Sequence, residues 1–260
     1  MLPIRDRLPT RRAPIVNYLL IALNVLVFMG EQALLAVGVP QQGLLLEWGL
    51  VPARLVMHPL DGVVTVLSSM FMHDPSGWFH IGGNMLFLWI FGDNVEDALG
   101  RGRYLAFYLL CGVAAAGAQV LIDPSSPMPM VGASGAIAGV LAAYGSLYPR
   151  APVTVLNPMP LLWLFFGIFF ELPAWVVILE FFLVNLWNGL GAAASASSGG
   201  VAFFAHLGGF VAGLFLVRVF LPDQPRRDHD RWQGFRSPPR PPAPSAYGYR
   251  TEPPHRPWDG

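Results

Sequence analysis

Ser134, His206, His80 and Asn84 are the residues of this chain whose types and spacing suit covalent chemistry. A serine hydroxyl beside a neutral imidazole is a nucleophile and its base. The ring takes the hydroxyl proton as the oxygen attacks a carbonyl, then returns it to the leaving amine. His80 and Asn84 are four residues apart, so a helix would set them on one face. Two donors aimed at one point, with the Ser134 backbone N–H as a third, suit a tetrahedral oxyanion. Ser134 lies in Gly132-Ala133-Ser134-Gly135. A loop-to-helix junction there would expose the hydroxyl and the free N–H groups of a helix start. His206 lies in Ala205-His206-Leu207-Gly208-Gly209, and Ala205, Gly209 and Gly213 recur every four residues. Such a small-residue stripe lets two helices approach closely, and the helix bearing Ser134, Gly135 and Gly139 is the expected neighbour. Each residue also has a plainer reading. Gly-Ala-Ser-Gly serves helix packing, a lone histidine bonds a neighbouring carbonyl, and His80 with Asn84 links helices.

The elements that would carry these residues are set by bulk chemistry. Of the 260 residues 54% are hydrophobic and 12% charged, against about 25% charged in soluble chains. The apolar residues cluster into runs, and a membrane span needs ~20 of them. Six runs can carry spans: Ile15 to Val37, His80 to Leu99, Tyr104 to Leu121, Ser134 to Leu147, Pro173 to Leu190 and Val201 to Leu221, the fourth being short if it starts at Ser134. The stretch Val153 to Phe170 is also apolar, but Pro158 and Pro160, with Pro152 before it, deny a regular helix its hydrogen bonds. It predicts an interfacial or re-entrant segment; a seventh span is the competing count.

Charge selects between these counts. With the N-terminus in the cytoplasm, six spans leave only Arg54 outside among 16 basic residues, all of them arginine. That distribution follows the positive-inside rule, whereas a seventh span would move the arginine-rich tail outside. Residues 1–14 are basic and no small-x-small cleavage site ends the first run, which predicts a retained span rather than a secretory signal. From Pro222 to Gly260 the composition turns to Pro, Arg, Asp and Ser, predicting a disordered cytoplasmic tail; docking of a partner is the alternative. Net charge is zero, so nothing points to a nucleic-acid partner, and Cys111, the single cysteine, excludes an intrachain disulfide.

Ionisable groups in hydrocarbon are costly and mark functional sites. In the six-span topology the helices carrying His80, Ser134 and His206 all run from outside to inside, with these residues early in each. The four side chains therefore share one depth, beneath the outer surface. A transporter or channel would spread its polar groups through the membrane.

With those residues in place, the chain resembles the rhomboid family of intramembrane serine proteases. The resemblance runs through His80-Ile81-Gly82-Gly83-Asn84, Gly132-Ala133-Ser134-Gly135 and Ala205-His206-Leu207-Gly208-Gly209. It extends to Asn24, Trp48-Gly49-Leu50-Val51-Pro52, Met70-Phe71-Met72-His73 and Phe91-Gly92-Asp93-Asn94-Val95-Glu96, covering roughly 15–221. It implies an all-α polytopic bundle of six transmembrane helices, with a water-filled cavity opening outward. It also implies a serine endopeptidase with Ser134 as nucleophile and His206 as base, no acidic third member, and His80 and Asn84 as oxyanion donors. The implied partners are the lipid bilayer and membrane-protein substrates, typically single-span, cut near small residues. No metal or organic cofactor is implied. The expected location is a bacterial inner membrane, with both termini cytoplasmic and the active site facing outward. A rhomboid-like protein that binds membrane clients without cutting them is the runner-up. Glu180, within the fifth run, is expected to hydrogen-bond another helix or to influence substrate access. Asp93 and Glu96 are expected to hold the loop after the second run through local hydrogen bonds.

Overall fold

The computed structural model describes residues 2–75, 77–157, 159, 163, 167–194 and 203–221. The tail from Pro222 and the start of the sixth run at Val201 lie outside the described residues. The chain opens with strand β1 (Leu2–Asp6) and helix α1 (Ile15–Ala36), followed by three short helices, α2 (Gln41–Trp48), α3 (Pro52–Met57) and α4 (Pro59–Ser68). Two 22-residue helices follow, α5 (Trp78–Leu99) and α6 (Arg101–Ile122), turning on Gly100 at φ 83°. Then come α7 (Ser134–Leu147), the strands β2 (Pro152–Leu156) and β3 (Phe169–Pro173), and the helices α8 (Ala174–Ala194) and α9 (Phe203–Phe220).

Among the described residues three helices, α1, α6 and α9, are long and apolar enough to cross a membrane. The apolar stretches of α7 and α8 are shorter. Helix α5 matches α6 in length but is more polar, carrying His80, Asn84, Asp93, Asn94 and Glu96. Many large apolar side chains point outward, among them Leu26 at 69%, Phe215 at 65% and Trp187 at 79% exposure. An exterior of that kind is matched to hydrocarbon, since water would leave it a large unburied patch. This is a polytopic, essentially all-α membrane fold.

The interior is built on close approach. Helix α9 packs most extensively on α6 and α7. A Cβ placed on Gly209 would overlap the Gly135 carbonyl, and one on Gly213 would overlap the Gly139 backbone. The stripe expected from the sequence therefore meets the expected neighbour. Around it Phe91, Tyr104, Phe107, Tyr108, Leu141 and Tyr144 are fully buried. Packing and interhelical hydrogen bonds must hold this bundle, because lipid tails are as apolar as its side chains.

The two ends of the interrupted stretch after α7 are strands, in keeping with the failure of a regular helix at its prolines, while 158, 160–162 and 164–166 lie outside the described residues. Val153, Thr154 and Val155 form the middle of β2, where β-branched side chains fit a pleated surface. Strand β2 pairs antiparallel with β3, from Pro152 opposite Pro173 to Leu156 opposite Phe169. On its other side it pairs antiparallel with β1, Leu2 facing Leu156 and Asp6 facing Val153, with an irregularity between Pro3 and Arg5. The basic N-terminal segment thus completes a three-stranded sheet, and Arg7 adds an ion pair with Glu171.

Glu96 also departs from the local role expected of it. Its two oxygens accept the backbone N–H groups of Val16 (3.2 Å) and Asn17 (2.7 Å) at the start of α1. These are orphan donors of a helix N-terminus, which a carboxylate satisfies while complementing the helix dipole. Asp93 does stay local, bonding the Asn94 backbone N–H at 2.7 Å.

Candidate active site

Ser134 is the first residue of α7, as its junction motif predicts. Two features of the preceding segment hold it there. Met130 and Leu50 exchange backbone hydrogen bonds at 3.0 and 2.8 Å, and the Gly132 N–H donates to the Ser69 carbonyl at 2.9 Å. Gly132 then turns with φ at 128°, a conformation open to glycine and rarely to L side chains. The first-turn N–H groups of α7 lie next to the Ser134 hydroxyl and have no carbonyl within the helix to bond.

His206 sits in the first turn of α9, where the glycine contact brings it against α7. Its Nε2 lies 2.7 Å from Ser134 Oγ, a hydrogen bond across 72 residues of sequence. Both side chains are half-buried, hence held in place yet reachable. The other ring nitrogen, Nδ1, lies 2.5 Å from Asn185 Oδ1 on α8. Phe181, one turn earlier on α8, sets its ring 6.1 Å from the imidazole.

Helix α5 supplies the remaining candidates. A Cβ at Gly132 would lie 3.1 Å from Cε1 and Nε2 of His80 and 3.5 Å from Ser134 Oγ, so the His80 ring and the nucleophile flank one small space. Asn84, one turn further along, is buried, and its Nδ2 donates to His73 Nε2 at 3.0 Å. That bond uses one of the two amide hydrogens and leaves the other. His73 is fixed in turn by its backbone N–H, which the Glu31 carboxylate of α1 accepts at 3.3 Å, and by edge-on contact with His80 at 5.2 Å. All four residues predicted from the sequence therefore gather at the end of the bundle where α7 begins.

A family model for the rhomboid domain matches residues 61–223, which includes all four of these residues. The chain belongs to the rhomboid family. Among proteins similar to this rhomboid is the mitochondrial rhomboid protein 1 of Saccharomyces cerevisiae, 29% identical over 158 residues, 58% of this chain and 40% of that one. The rhomboid protease GluP of Bacillus subtilis is 32% identical over 141 residues, 50% of this chain and 24% of its own. The mitochondrial presenilin-associated rhomboid-like protein of Homo sapiens is 28% identical over 161 residues, 58% and 36% of the two chains. This rhomboid thus aligns with well under half the length of these relatives.

Asn185 carries no motif in the sequence. Its signal is faint: an amide in the apolar run Leu183-Val184-Asn185-Leu186-Trp187, where a polar group needs a partner. Glu31 carries no motif either, and His73, which lies in the Met70–His73 stretch of the resemblance, gains its place behind Asn84 only once the helices are packed.

Proposed function

We propose that this rhomboid is an intramembrane serine endopeptidase that hydrolyses peptide bonds of membrane proteins in or near their transmembrane segments. The observation that carries the reading is the 2.7 Å contact between Ser134 Oγ and His206 Nε2. Nε2 takes the Ser134 proton while Oγ attacks the scissile carbonyl. Imidazolium then protonates the leaving amine, and water repeats the sequence on the acyl-enzyme. In this reading His80, the second N–H of Asn84 and the first-turn N–H groups of α7 are the donors to the carbonyl oxygen as it becomes negative. Each such donor is worth about 2.7–4 kcal/mol to the transition state.

Six helices serve as spans in this proposal: α1, α5, α6, α7, α8 and α9. Both termini face the cytoplasm of a bacterium and the site opens to the outer side, as the arginine distribution supports. Helix α7 has 14 residues, about 21 Å of helix at 1.5 Å per residue, too short for the whole hydrocarbon layer. Ser134 then lies below the membrane surface, open to water from above and to substrate from the side. Single-span proteins are the proposed substrates, because a helix must locally unwind to offer its carbonyls to Oγ.

A serine-directed fluorophosphonate tests the reading. The purified full chain in detergent takes up the probe, and Ser134→Ala does not. No labelling of well-folded protein at any pH overturns the proposal and leaves a client-binding rhomboid without hydrolytic activity.

A further inference from the structure

A base in an acyl transfer must present a lone pair, not a proton, to its serine. Neutral imidazole carries one proton, on either nitrogen, and whatever faces the far nitrogen decides which. In this chain the far nitrogen faces Asn185, and the orientation of that amide is determined by a second contact. Asn185 Nδ2 lies 2.8 Å from the backbone carbonyl of Phe181, one turn back on α8. A carbonyl only accepts, so the amide nitrogen must be the group that faces it. Rotating the amide would set two acceptors together and lose the bond. The side-chain oxygen is therefore the atom directed at His206 Nδ1, 2.5 Å away. An oxygen without a proton can only accept, so Nδ1 carries the hydrogen and Nε2 is left bare, 2.7 Å from Ser134 Oγ.

We propose that Asn185 is a positioning residue, whose side-chain oxygen accepts the Nδ1 proton of His206 and so holds Nε2 unprotonated toward Ser134. The proposal rests on the reading of Ser134 and His206 as nucleophile and base. When Nε2 takes the serine proton the ring becomes imidazolium, and Asn185 Oδ1 lies on the axis of its positive charge. When the proton leaves with the amine, the same contact returns the ring to the tautomer it started from. Holding a base in its tautomer and orientation is the task of the third member of a hydrolytic triad. Here the environment explains an amide in that place. Asn185 is 7% exposed on a helix surrounded by apolar residues, where an isolated carboxylate would carry a heavy desolvation cost and an amide a small one. Phe181 serves twice, as the carbonyl that orients the amide and as a ring beside the imidazole.

Three variants of the full chain and two readouts test this. Asn185→Leu keeps the volume and removes the acceptor; kcat for a single-span substrate falls roughly 10²-fold, the scale of a misplaced catalytic group, with KM unchanged. Asn185→Asp keeps an acceptor toward Nδ1 but loses the bond to the Phe181 carbonyl, so it retains more kcat than Asn185→Leu without reaching the wild type. Its negative charge favours the imidazolium, so the acid limb of the kcat/KM profile moves to higher pH. A residue that only packed would lose more from the charge than from leucine and would leave the His206 tautomer the same in every variant. The second readout is the ¹⁵N spectrum of His206, assigned by its loss in His206→Ala. It reports an Nδ1–H tautomer in the wild type and a mixed population in Asn185→Leu. An unchanged tautomer, or full kcat in Asn185→Leu, overturns the proposal. If the wild type cleaves nothing, the endopeptidase reading fails while the spectra still decide whether Asn185 holds the ring.

Discussion

Helix α7 has a polar cluster at each end, and the two differ in how much hydrogen-bonding capacity they leave free. At its N-terminal end Ser134, His206 and His80 are half-buried, Asn84 keeps an amide hydrogen, and the first-turn N–H groups of α7 have no carbonyl inside the helix. At its C-terminal end the groups are spent on one another. Tyr144 OH donates to Asp6 at 2.6 Å, Asn94 Nδ2 donates to the same carboxylate oxygen at 3.0 Å, and Glu96 caps α1. Asn17 adds a bond to the Leu88 carbonyl at 2.9 Å and accepts from Tyr104 OH at 2.8 Å. Both clusters satisfy polar groups within an apolar bundle, which is what stability demands. Only the N-terminal one keeps hydrogen-bonding capacity beyond its own contacts, which is what the proposed oxyanion role demands. The C-terminal cluster binds strand β1, α1, α5 and α7 together and so holds the frame on which the other is built.

The sharpest break in that comparison is His206→Ala. Turnover of a single-span substrate is expected to fall by at least about 10⁴-fold, as when the base of a hydrolytic serine is lost. The thermal midpoint in detergent should stay close to wild type. Residual activity near the wild-type level would mean that the reactive end is not organised around this ring.

Asn84→Ala is the intermediate case. In the proposed mechanism the other oxyanion donors remain, so kcat should drop about 10²-fold, with little change in KM. Because Asn84 also bonds His73, a modest loss of stability, about 1 kcal/mol, should accompany it. Equal falls in the rates with a cleavable ester and a peptide substrate would support a role at the oxyanion, and a change in KM alone would refute it.

The smallest effect is expected at the opposite end of α7. Burial raises the Asp6 carboxyl from its ordinary 3.8 to about 7, against the hydrogen bond from Tyr144 that lowers it, with nearby Asp93 adding to the rise. The folded state therefore holds the proton more tightly than the unfolded chain. Its stabilising contribution is complete below about pH 4 and is lost as pH climbs to about 7. Asp6→Asn should remove that part of the slope, seen as a flatter plot of thermal midpoint against pH, while kcat at a fixed pH stays the same. A variant with the wild-type slope would show that Asp6 titrates equally in both states. A variant with lost activity would show that the two ends of α7 are not separable.

The reactive end was the more legible of the two in the sequence. Ser134, His206, His80 and Asn84 each lie in a short run of glycines and small residues that sets them apart from the surrounding apolar background. Helical spacing alone relates Asn84 to His80 and Gly209 to Ala205 and Gly213. The C-terminal end was opaque because its bonds are long in sequence: Asp6 meets Tyr144 across 138 residues, and Asn17 meets Glu96 across 79. The sheet was hidden for a related reason. The prolines near Val153 showed that a regular helix would fail, but the pairing of Val153-Thr154-Val155 as a strand was not read from the sequence. The strand that completes the edge comes from the N-terminus, about 150 residues away, where composition signals only positive charge.

What the amino-acid order determined by itself is the class of molecule and four candidate side chains for its site. Transfer of apolar runs out of water is additive along the chain, and helix periodicity assigns residues to faces, so spans and candidate side chains follow from local pattern. The tertiary structure decided which of those side chains touch. Whether an imidazole reaches a hydroxyl depends on backbones meeting where a single methyl group would prevent it, at Gly209 against Gly135. Which face of the imidazole carries the proton depends on an amide whose orientation is determined by the Phe181 carbonyl. Contacts of that kind depend on distances between elements remote in sequence, and they become visible only when the helices are packed.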